Sequence, residues 1–233
     1  MKPMAEQIYI FGDSLAKGVV FDQVKQRYAL LKESAANLCC AALGVVQKNF
    51  SRFGCTIDRG AETVGVHKKE LAAVDCVLLE FGGNDCDFDW AAVAARPEAE
   101  HLPKTPLDEF ARRYSELIEE VRDGGGSPVL LNLPPIEPHR YFNWVSRGLD
   151  ADAILRWLGG SDEYIYRWHE MYSVEIGKVA QLHSAPLIDI RLAFLARRDY
   201  GKLLCEDGIH PNSAGHRLIS DTIAAAVESG RLL

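Results

Sequence analysis

The sequence has few cysteines, no excess of basic residues and no long apolar run. Its six cysteines form no C-x-x-C pair and no regular spacing, so we expect no structural disulfides. The formal net charge of −7 argues against a nucleic-acid partner, because binding to phosphates needs a basic surface. No apolar stretch reaches the length of a membrane span, and the first residues lack the apolar core of a signal peptide. These absences favour a cytoplasmic protein without a membrane span.

Nucleotide-binding glycine motifs are missing as well. Neither G-x-x-x-x-G-K-[S/T] nor G-x-G-x-x-G occurs, which removes two common signatures of phosphate-binding loops. The sequence also contains no internal repeat. What remains is an ordinary composition, with 48% apolar and 25% charged residues in a chain of 233. That composition and length fit one globular domain covering residues 1–233.

Short apolar runs that end in turn residues alternate with longer stretches of helical periodicity. This alternation predicts an α/β fold in which parallel strands are joined by crossover helices. We predict strands near residues 7–11, 45–50, 76–81, 128–133 and 186–190, and helices near residues 18–43, 106–123, 162–183 and 213–229. Ser213 is the expected N-cap of the last helix, because an apolar series at helical spacing follows it.

Two further stretches, near residues 86–105 and 135–160, do not fit the alternation and follow strand ends. In an open parallel sheet the ligand crevice lies beyond the carboxyl ends of the strands, so we expect these insertions to overhang the site. The second stretch carries Tyr141, Phe142 and Trp144. These aromatic residues either line an acyl or sugar pocket or pack together as a lid.

A serine and a histidine stand in positions that suit nucleophilic catalysis. The first predicted strand runs directly into Gly12-Asp13-Ser14-Leu15, so Ser14 emerges at a carboxyl end. Such a serine is either a nucleophile or the N-cap of the next helix. In Asp207-Gly208-Ile209-His210 the spacing lets a carboxylate orient a histidine that takes a proton from serine. An ordinary surface loop also accommodates this pattern.

Two glycine-containing segments are candidates for oxyanion binding. In Gly82-Gly83-Asn84-Asp85 the amide of Asn84 can donate to a developing negative charge. In residues 49–56, Gly54 can offer a backbone N–H that no side chain blocks. Each segment, taken alone, is equally typical of a plain turn.

Together the four segments resemble the blocks of the SGNH, or GDSL-type, hydrolase family, and they occur in the family's order. The resemblance extends over residues 8–216. It implies a flavodoxin-like fold, a three-layer α/β/α sandwich around a five-stranded parallel sheet. It also implies an ester hydrolase that needs no cofactor and no metal.

The resemblance assigns a role to each matching residue. Ser14 is the expected nucleophile, His210 the general base and Asp207 the residue that orients it. The N–H groups of Ser14 and Gly54 and the side chain of Asn84 form the expected oxyanion hole. The expected substrate is a small-molecule ester with a short acyl or acetyl group on a lipid, a small alcohol or a carbohydrate. The pocket residues predicted for it are Asp13, Tyr141, Phe142 and Trp144.

Two other functions are compatible with the same residues. One is a metal-dependent phosphoesterase, in which carboxylates and imidazoles hold an ion; its ligands would be Asp13, Asn84, Asp207, His210 and His216. The other is a non-catalytic carbohydrate-binding protein that keeps the fold without the chemistry. Four more histidines have no partner spacing and receive no predicted role: His67, His101, His169 and His183.

Overall fold

The computed structural model of the chain describes residues 7–230 and has a parallel sheet at its centre. Within these residues the strands are β1 (Gln7–Gly12), β2 (Val19–Asp22), β3 (Arg27–Leu30), β4 (Val46–Asn49), β5 (Cys76–Glu80), β6 (Pro128–Leu131) and β7 (Leu187–Ile188). Five of them pair in the order β4-β1-β5-β6-β7, and every pairing in this sheet is parallel. Renumbered along the chain, this is the flavodoxin-like order 2-1-3-4-5. The predicted fold class is confirmed.

Helices connect and cover these strands. In the described part of the chain they are α1 (Ser14–Lys17), α2 (Ala35–Leu43), α3 (Ile57–His67), α4 (Trp90–Ala95), α5 (Leu107–Asp123), α6 (Pro138–Val145), α7 (Ala151–Trp157), α8 (Glu163–Leu182), α9 (Ile190–Leu195) and α10 (Ser213–Glu228). Short 3-10 helices span Lys68–Ala73 and Tyr200–Leu203. Among residues 7–230, none of the helices combines the length and the apolar character needed to cross a membrane.

Two apolar clusters pack on opposite faces of the sheet. Along β1, Tyr9 and Phe11 join the cluster under α3, α5 and α8, whereas Ile10 joins the cluster under α2, α9 and α10. This division follows from strand geometry, because successive side chains point to opposite faces. On α5 the buried residues recur at helical spacing and form one apolar stripe against the sheet: Phe110, Tyr114, Leu117, Ile118 and Val121.

The helix predicted over residues 18–43 is wrong in its first half. There β2 and β3 form an antiparallel hairpin, and the helix is limited to α2. In β2 the buried residues Val19 and Phe21 alternate with partly buried ones, which is the period of a strand. The segment between the two strands contains no Gly, Pro or Asn, so the usual signal of a hairpin turn is missing from the sequence.

The predicted N-cap of the last helix is wrong by one residue. Asn212 Oδ1 accepts hydrogen bonds from the N–H groups of Ala214 (3.0 Å) and Gly215 (3.2 Å). Ser213 is instead the first helical residue. Both asparagine and serine are good caps, and the chain uses the one whose backbone is still extended.

The two predicted insertions contain helices of their own. Residues 86–105 include α4, and residues 135–160 include α6 and α7. Their apolar side chains, together with Ile165 on α8, form a third cluster separate from the two beneath the sheet. This cluster forms beyond the carboxyl ends of β5 and β6, on the side of the sheet where Ser14 emerges from β1.

Candidate active site

Two hydrogen bonds link Ser14 to His210 and His210 to Asp207. Ser14 Oγ is 2.9 Å from His210 Nε2, and His210 Nδ1 is 2.6 Å from Asp207 Oδ2. Because an ionised carboxylate only accepts, Nδ1 carries the proton and donates it to Asp207. The lone pair on Nε2 therefore accepts from the Ser14 hydroxyl. All three residues are buried, with Asp207 fully enclosed.

Ser14 is placed by the turn between β1 and α1. Asp13 is the N-cap of α1, since its Oδ1 accepts from the N–H of Leu15 at 2.8 Å. Ser14 is the first residue of that helix, and its side chain faces His210 rather than the backbone. Of the two interpretations that the sequence allows for this serine, the capping role thus belongs to its neighbour Asp13.

The loop that carries Asp207 and His210 is fixed by its own backbone. Asp207 Oδ1 accepts from the N–H groups of Ile209 and His210, both at 3.1 Å. Burial opposes ionisation of Asp207, but hydrogen bonds from the His210 side chain and the backbone outweigh it and lower the pKa. The Asp207 carboxylate is therefore the charged partner that the imidazole needs.

Gly208 allows this loop to sit against the start of α6. Its φ is +78°, a conformation that favours glycine, and its carbonyl accepts from the N–H of Glu137 at 2.8 Å. A Cβ at this position would lie 2.7 Å from the carbonyl oxygen of Glu137 and 2.8 Å from the backbone nitrogen of Tyr141. The histidine loop and the second insertion are thus in direct backbone contact.

The predicted oxyanion donors border the same cavity as Ser14. Asn84 Nδ2 donates one hydrogen to Asp13 Oδ2 at 2.8 Å, which orients the amide and leaves its second N–H for a ligand. The N–H groups of Ser14 and Gly54 donate to no other described residue. Gly54 has a φ of +70° and open space where a Cβ would stand. Backbone conformation, rather than crowding, is therefore what requires glycine there.

Another buried carboxyl group lies under the turn that carries Ser14. Glu80 Oε2 accepts from the N–H groups of Asp13 and Ala16, each at 3.2 Å, while Oε1 has no partner among the described residues. Burial raises the pKa of Glu80 well above its ordinary value, and the Asp13 carboxyl raises it further. Burial also raises the pKa of Asp13. Glu80 was not predicted from the sequence as a site residue, although it ends the apolar run of the buried strand β5.

A cavity of about 360 Å³ opens beside Ser14. Both insertions contribute to it, and its walls are rich in aromatic residues: Tyr28, Phe53, Phe88, Trp90, Tyr141, Trp144, Tyr164 and Trp168. Of the four predicted pocket residues, Asp13, Tyr141 and Trp144 line the cavity.

The fourth predicted pocket residue, Phe142, is not brought to this cavity. This side chain packs on the third apolar cluster and is not among the cavity-lining residues of the described chain. Helix geometry gives the reason, since Tyr141, Trp144 and Val145 share one face of α6 and the next residue after Tyr141 is rotated by about 100°.

Tyr28 and Phe53 cover the ring of His210, and neither contact was predicted from the sequence. The Tyr28 ring centroid is 5.1 Å from that of His210, and Phe53 stacks on His210 at 6.1 Å. Burial, followed by the charge of Asp207, raises the pKa of Tyr28. Tyr28 lies on the hairpin that the sequence predicted as helix, which explains why its position at the site was missed.

The ligand set of the metal-dependent alternative does not come together. In residues 7–230 no three His, Cys, Asp or Glu side chains are grouped so as to hold a metal ion. His216, one of the ligands considered, is buried in the first turn of α10 and its Nδ1 accepts from the N–H of Ala35 at 3.3 Å. Burial lowers the pKa of His216 to about 4, so its imidazole is neutral at physiological pH.

Solved structures of several bacterial hydrolases share this fold. A lipase/acylhydrolase from Enterococcus faecalis is 19% identical, with a TM-score of 0.68 and coverage of 97% of this chain and 96% of that chain. The esterase EstA from a Pseudoalteromonas species is 17% identical, with a TM-score of 0.62 and coverage of 97% and 98%. An acetyl-xylooligosaccharide esterase from Geobacillus is 18% identical, with a TM-score of 0.63 and coverage of 95% and 94%.

The sequence itself matches one protein family over most of its length. No curated protein matches the chain. Residues 10–218, however, match the GDSL-like lipase/acylhydrolase family, and this range contains Ser14, Asn84, Asp207 and His210. The chain therefore belongs to the GDSL-like lipase/acylhydrolase family and is an ester hydrolase.

Proposed function

We propose that the protein hydrolyses carboxylic esters through an acyl-enzyme on Ser14, with His210 as general base and Asp207 as its orienting partner. One observation carries this proposal. A serine hydroxyl, both nitrogens of an imidazole and a buried carboxylate are joined by hydrogen bonds of 2.9 and 2.6 Å at the wall of a cavity. This arrangement has the geometry of an activated serine nucleophile.

The reaction follows from the proton positions. Ser14 Oγ attacks the ester carbonyl while its proton passes to His210 Nε2, and the imidazolium that forms is stabilised by Asp207. His210 then returns the proton to the leaving alcohol, and the carbonyl carbon stays bound to Ser14. In the second half of the reaction, a water molecule loses a proton to His210 and attacks the carbonyl carbon of the acyl-enzyme. The carboxylic acid leaves and the serine hydroxyl is restored.

The negative charge that develops on the carbonyl oxygen needs donors. Three candidates border the cavity and have no competing partner within residues 7–230: the N–H groups of Ser14 and Gly54, and the second hydrogen of Asn84 Nδ2. Donors that are oriented before the reaction stabilise the transition state more than the ground state. Asp13 supports this role by holding both the turn at Ser14 and the amide of Asn84.

We propose short acyl esters, including acetyl esters of lipids, small alcohols or carbohydrates, as the substrate class. The cavity volume and its aromatic walls suit a small ligand with an apolar or ring-shaped part. One protein of the same fold is described as an acetyl-xylooligosaccharide esterase, which is compatible with this class. We also propose a cytoplasmic location, which is supported by the six cysteines, all of them free thiols in the described chain.

A fluorophosphonate probe tests the nucleophile directly. The wild-type protein should be labelled at Ser14 and should hydrolyse p-nitrophenyl acetate, whereas Ser14→Ala should do neither. Ser213→Ala is the matched control, because this exposed serine starts α10 and should leave both signals at the wild-type level. Labelling that persists in Ser14→Ala would contradict the proposed mechanism.

A further inference from the structure

A buried histidine lies in the cavity wall formed by α8. His169 is 7% exposed and lines the cavity next to apolar residues such as Leu158 and Ile165. It takes no part in the hydrogen bonds that join Ser14, His210 and Asp207, and its spacing in the sequence suggests no role. A polar side chain in an otherwise apolar wall is the kind of group that orients a ligand.

The neighbouring Arg191 determines which ring nitrogen of His169 carries the proton. Arg191 is buried, and its Nη1 donates to the carbonyls of Leu133 and Pro134 at 3.3 Å each and faces His169 Nδ1 at 3.5 Å. A guanidinium group only donates, so Nδ1 must be unprotonated. Burial and the charge of Arg191 lower the pKa of His169 to about 3, so the ring is neutral and its proton resides on Nε2.

This Nε2–H has no hydrogen-bond partner among the described residues. Since the Nδ1 edge of the ring faces Arg191, the edge with Nε2 is the part left to border the cavity. We propose that His169 Nε2–H is a specificity-determining donor and that preferred substrates carry a neutral oxygen acceptor within the acyl chain. Ether, hydroxyl and carbonyl oxygens are the chemical groups that fit. The proposal rests on the ester hydrolysis inferred above and extends its substrate class from short acyl groups to longer ones that carry such an oxygen.

The acyl chain is the part of the ester that reaches His169. His210 must return a proton to the leaving alcohol, so the alcohol lies next to the His210 ring. Tyr28 and the exposed Phe53 cover that ring, and the alcohol therefore occupies their side of the cavity. Arg191, which faces His169 at 3.5 Å, donates to the carbonyls of Leu133 and Pro134 shortly after β6, and β6 lies two strands away from β1. Two strand spacings of about 4.8 Å separate β1 from β6, so we take about 10 Å, the length of a medium acyl chain, as the distance between Ser14 and this donor.

The charges at the site favour a neutral acceptor over an anionic group. Arg191 already forms an ion pair with Glu170. Lys104, the cation among the described cavity-lining residues, pairs with Asp87 at 2.8 Å. A carboxylate in the acyl chain would therefore lose its hydration without gaining a free positive charge. An oxygen of an ether or alcohol needs only the donor that His169 offers.

The test compares p-nitrophenyl octanoate with ether analogues in which one oxygen replaces successive methylenes of the chain. The value of kcat/KM is measured for each ester with wild type and with His169→Phe. For each protein, kcat/KM for the ether is divided by kcat/KM for octanoate, and the two ratios are compared. This comparison cancels the intrinsic reactivity of each ester. At the favoured position we expect the ratio to be about tenfold higher in wild type than in His169→Phe.

Two further variants separate the donor from general packing. His169→Gln keeps a side-chain N–H and should retain part of the preference. Trp168→Phe removes the indole N–H of Trp168, which is buried without a partner among the described residues and lies next to His169 in the cavity wall. This variant should keep the full preference.

The outcomes distinguish this inference from the proposed function. If wild type hydrolyses octanoate but its ratio for every ether equals that of His169→Phe, the inference is overturned while ester hydrolysis stands. Loss of the preference in Trp168→Phe alone would assign the donor to Trp168 instead. If His169→Phe does not fold, wild type alone still tests the inference. Its ether-to-octanoate ratio of kcat/KM is then compared with the same ratio of uncatalysed hydrolysis rates, and a wild-type ratio that is no greater overturns the inference. Failure of wild type on every ester would remove the proposed function as well.

Discussion

The substitution Glu80→Gln should flatten the dependence of stability on pH. Glu80 is fully buried under the turn at Ser14, and burial raises its pKa well above the ordinary value of 4.5. The folded protein therefore holds a proton that the unfolded chain releases. The stabilisation linked to this proton is complete below the pKa that Glu80 has in the unfolded chain. It is lost as pH rises through the pKa that Glu80 has in the folded protein. Glutamine keeps an oxygen for the N–H groups of Asp13 and Ala16 and has no proton to lose.

The size of the effect follows from proton linkage. One proton bound in the folded state and absent in the unfolded state changes the free energy of unfolding by about 1.4 kcal/mol for each pH unit. Between the two pKa values, wild type should lose up to this amount per unit relative to Glu80→Gln. The neighbouring Asp13 carboxyl titrates together with Glu80, so the slope belongs to the pair.

The assay is urea unfolding followed by tryptophan fluorescence at several pH values from about 6 to 9. Subtracting the wild-type free energies from those of Glu80→Gln cancels the groups that titrate equally in both proteins. Glu62→Gln is the control, because Glu62 is an exposed acid on α3, and its curve should run parallel to that of wild type. A Glu80→Gln curve parallel to wild type would refute the reasoning, because it would mean that Glu80 is ionised in the folded protein.

Four further results are expected. In p-nitrophenyl acetate kinetics the double mutant Ser14→Ala/His210→Ala should be hardly slower than either single mutant, since the two act as a unit; additive losses would indicate separate roles. Asn84→Ala should lower kcat by about 100-fold with a smaller change in KM, and a pure KM effect would assign Asn84 to ground-state binding. Tyr141→Ala should reduce kcat/KM more for longer acyl esters than for acetate, by about 0.8 kcal/mol per methylene buried, whereas Phe142→Ala, at the next position of α6 but outside the cavity, should leave this selectivity unchanged. Activity should persist after dialysis against EDTA, and its loss with recovery on adding a divalent cation would favour the metal-dependent alternative.

The sequence predicted the sheet and the order of the candidate site residues because both depend on local signals. Buried parallel strands are nearly continuous apolar runs, and the residues after them are polar and rich in glycine. The motifs around Ser14, Asn84 and His210 stand directly after or between such elements, so their position at one edge of the sheet follows from topology. The long helices α5, α8 and α10 were predicted to within about two residues for the same reason, since their apolar stripes recur at a constant spacing.

What the sequence did not predict depends on contacts between distant segments. The hairpin of β2 and β3 lacks a turn signal, and Tyr28 reaches His210 only because that hairpin folds over the site. Glu80 and His169 resemble an ordinary strand end and an ordinary helix residue until their burial beside Asp13 and Arg191 is known. Which side of α6 faces the cavity also depends on the packing of the insertion, so the sequence alone does not separate Tyr141 and Trp144 from Phe142.

The contact between Gly208 and the start of α6 has a consequence for the engineering of this protein. The backbone that presents Tyr141 and Trp144 to a ligand is the same backbone that supports the turn between Asp207 and His210. A substitution that moves the N-terminal end of α6 to enlarge the cavity will also move the imidazole relative to the serine. Libraries designed to broaden the substrate range should therefore vary side chains on the cavity face of α6 and leave its first turn intact. Variants selected at that first turn will trade turnover against selectivity.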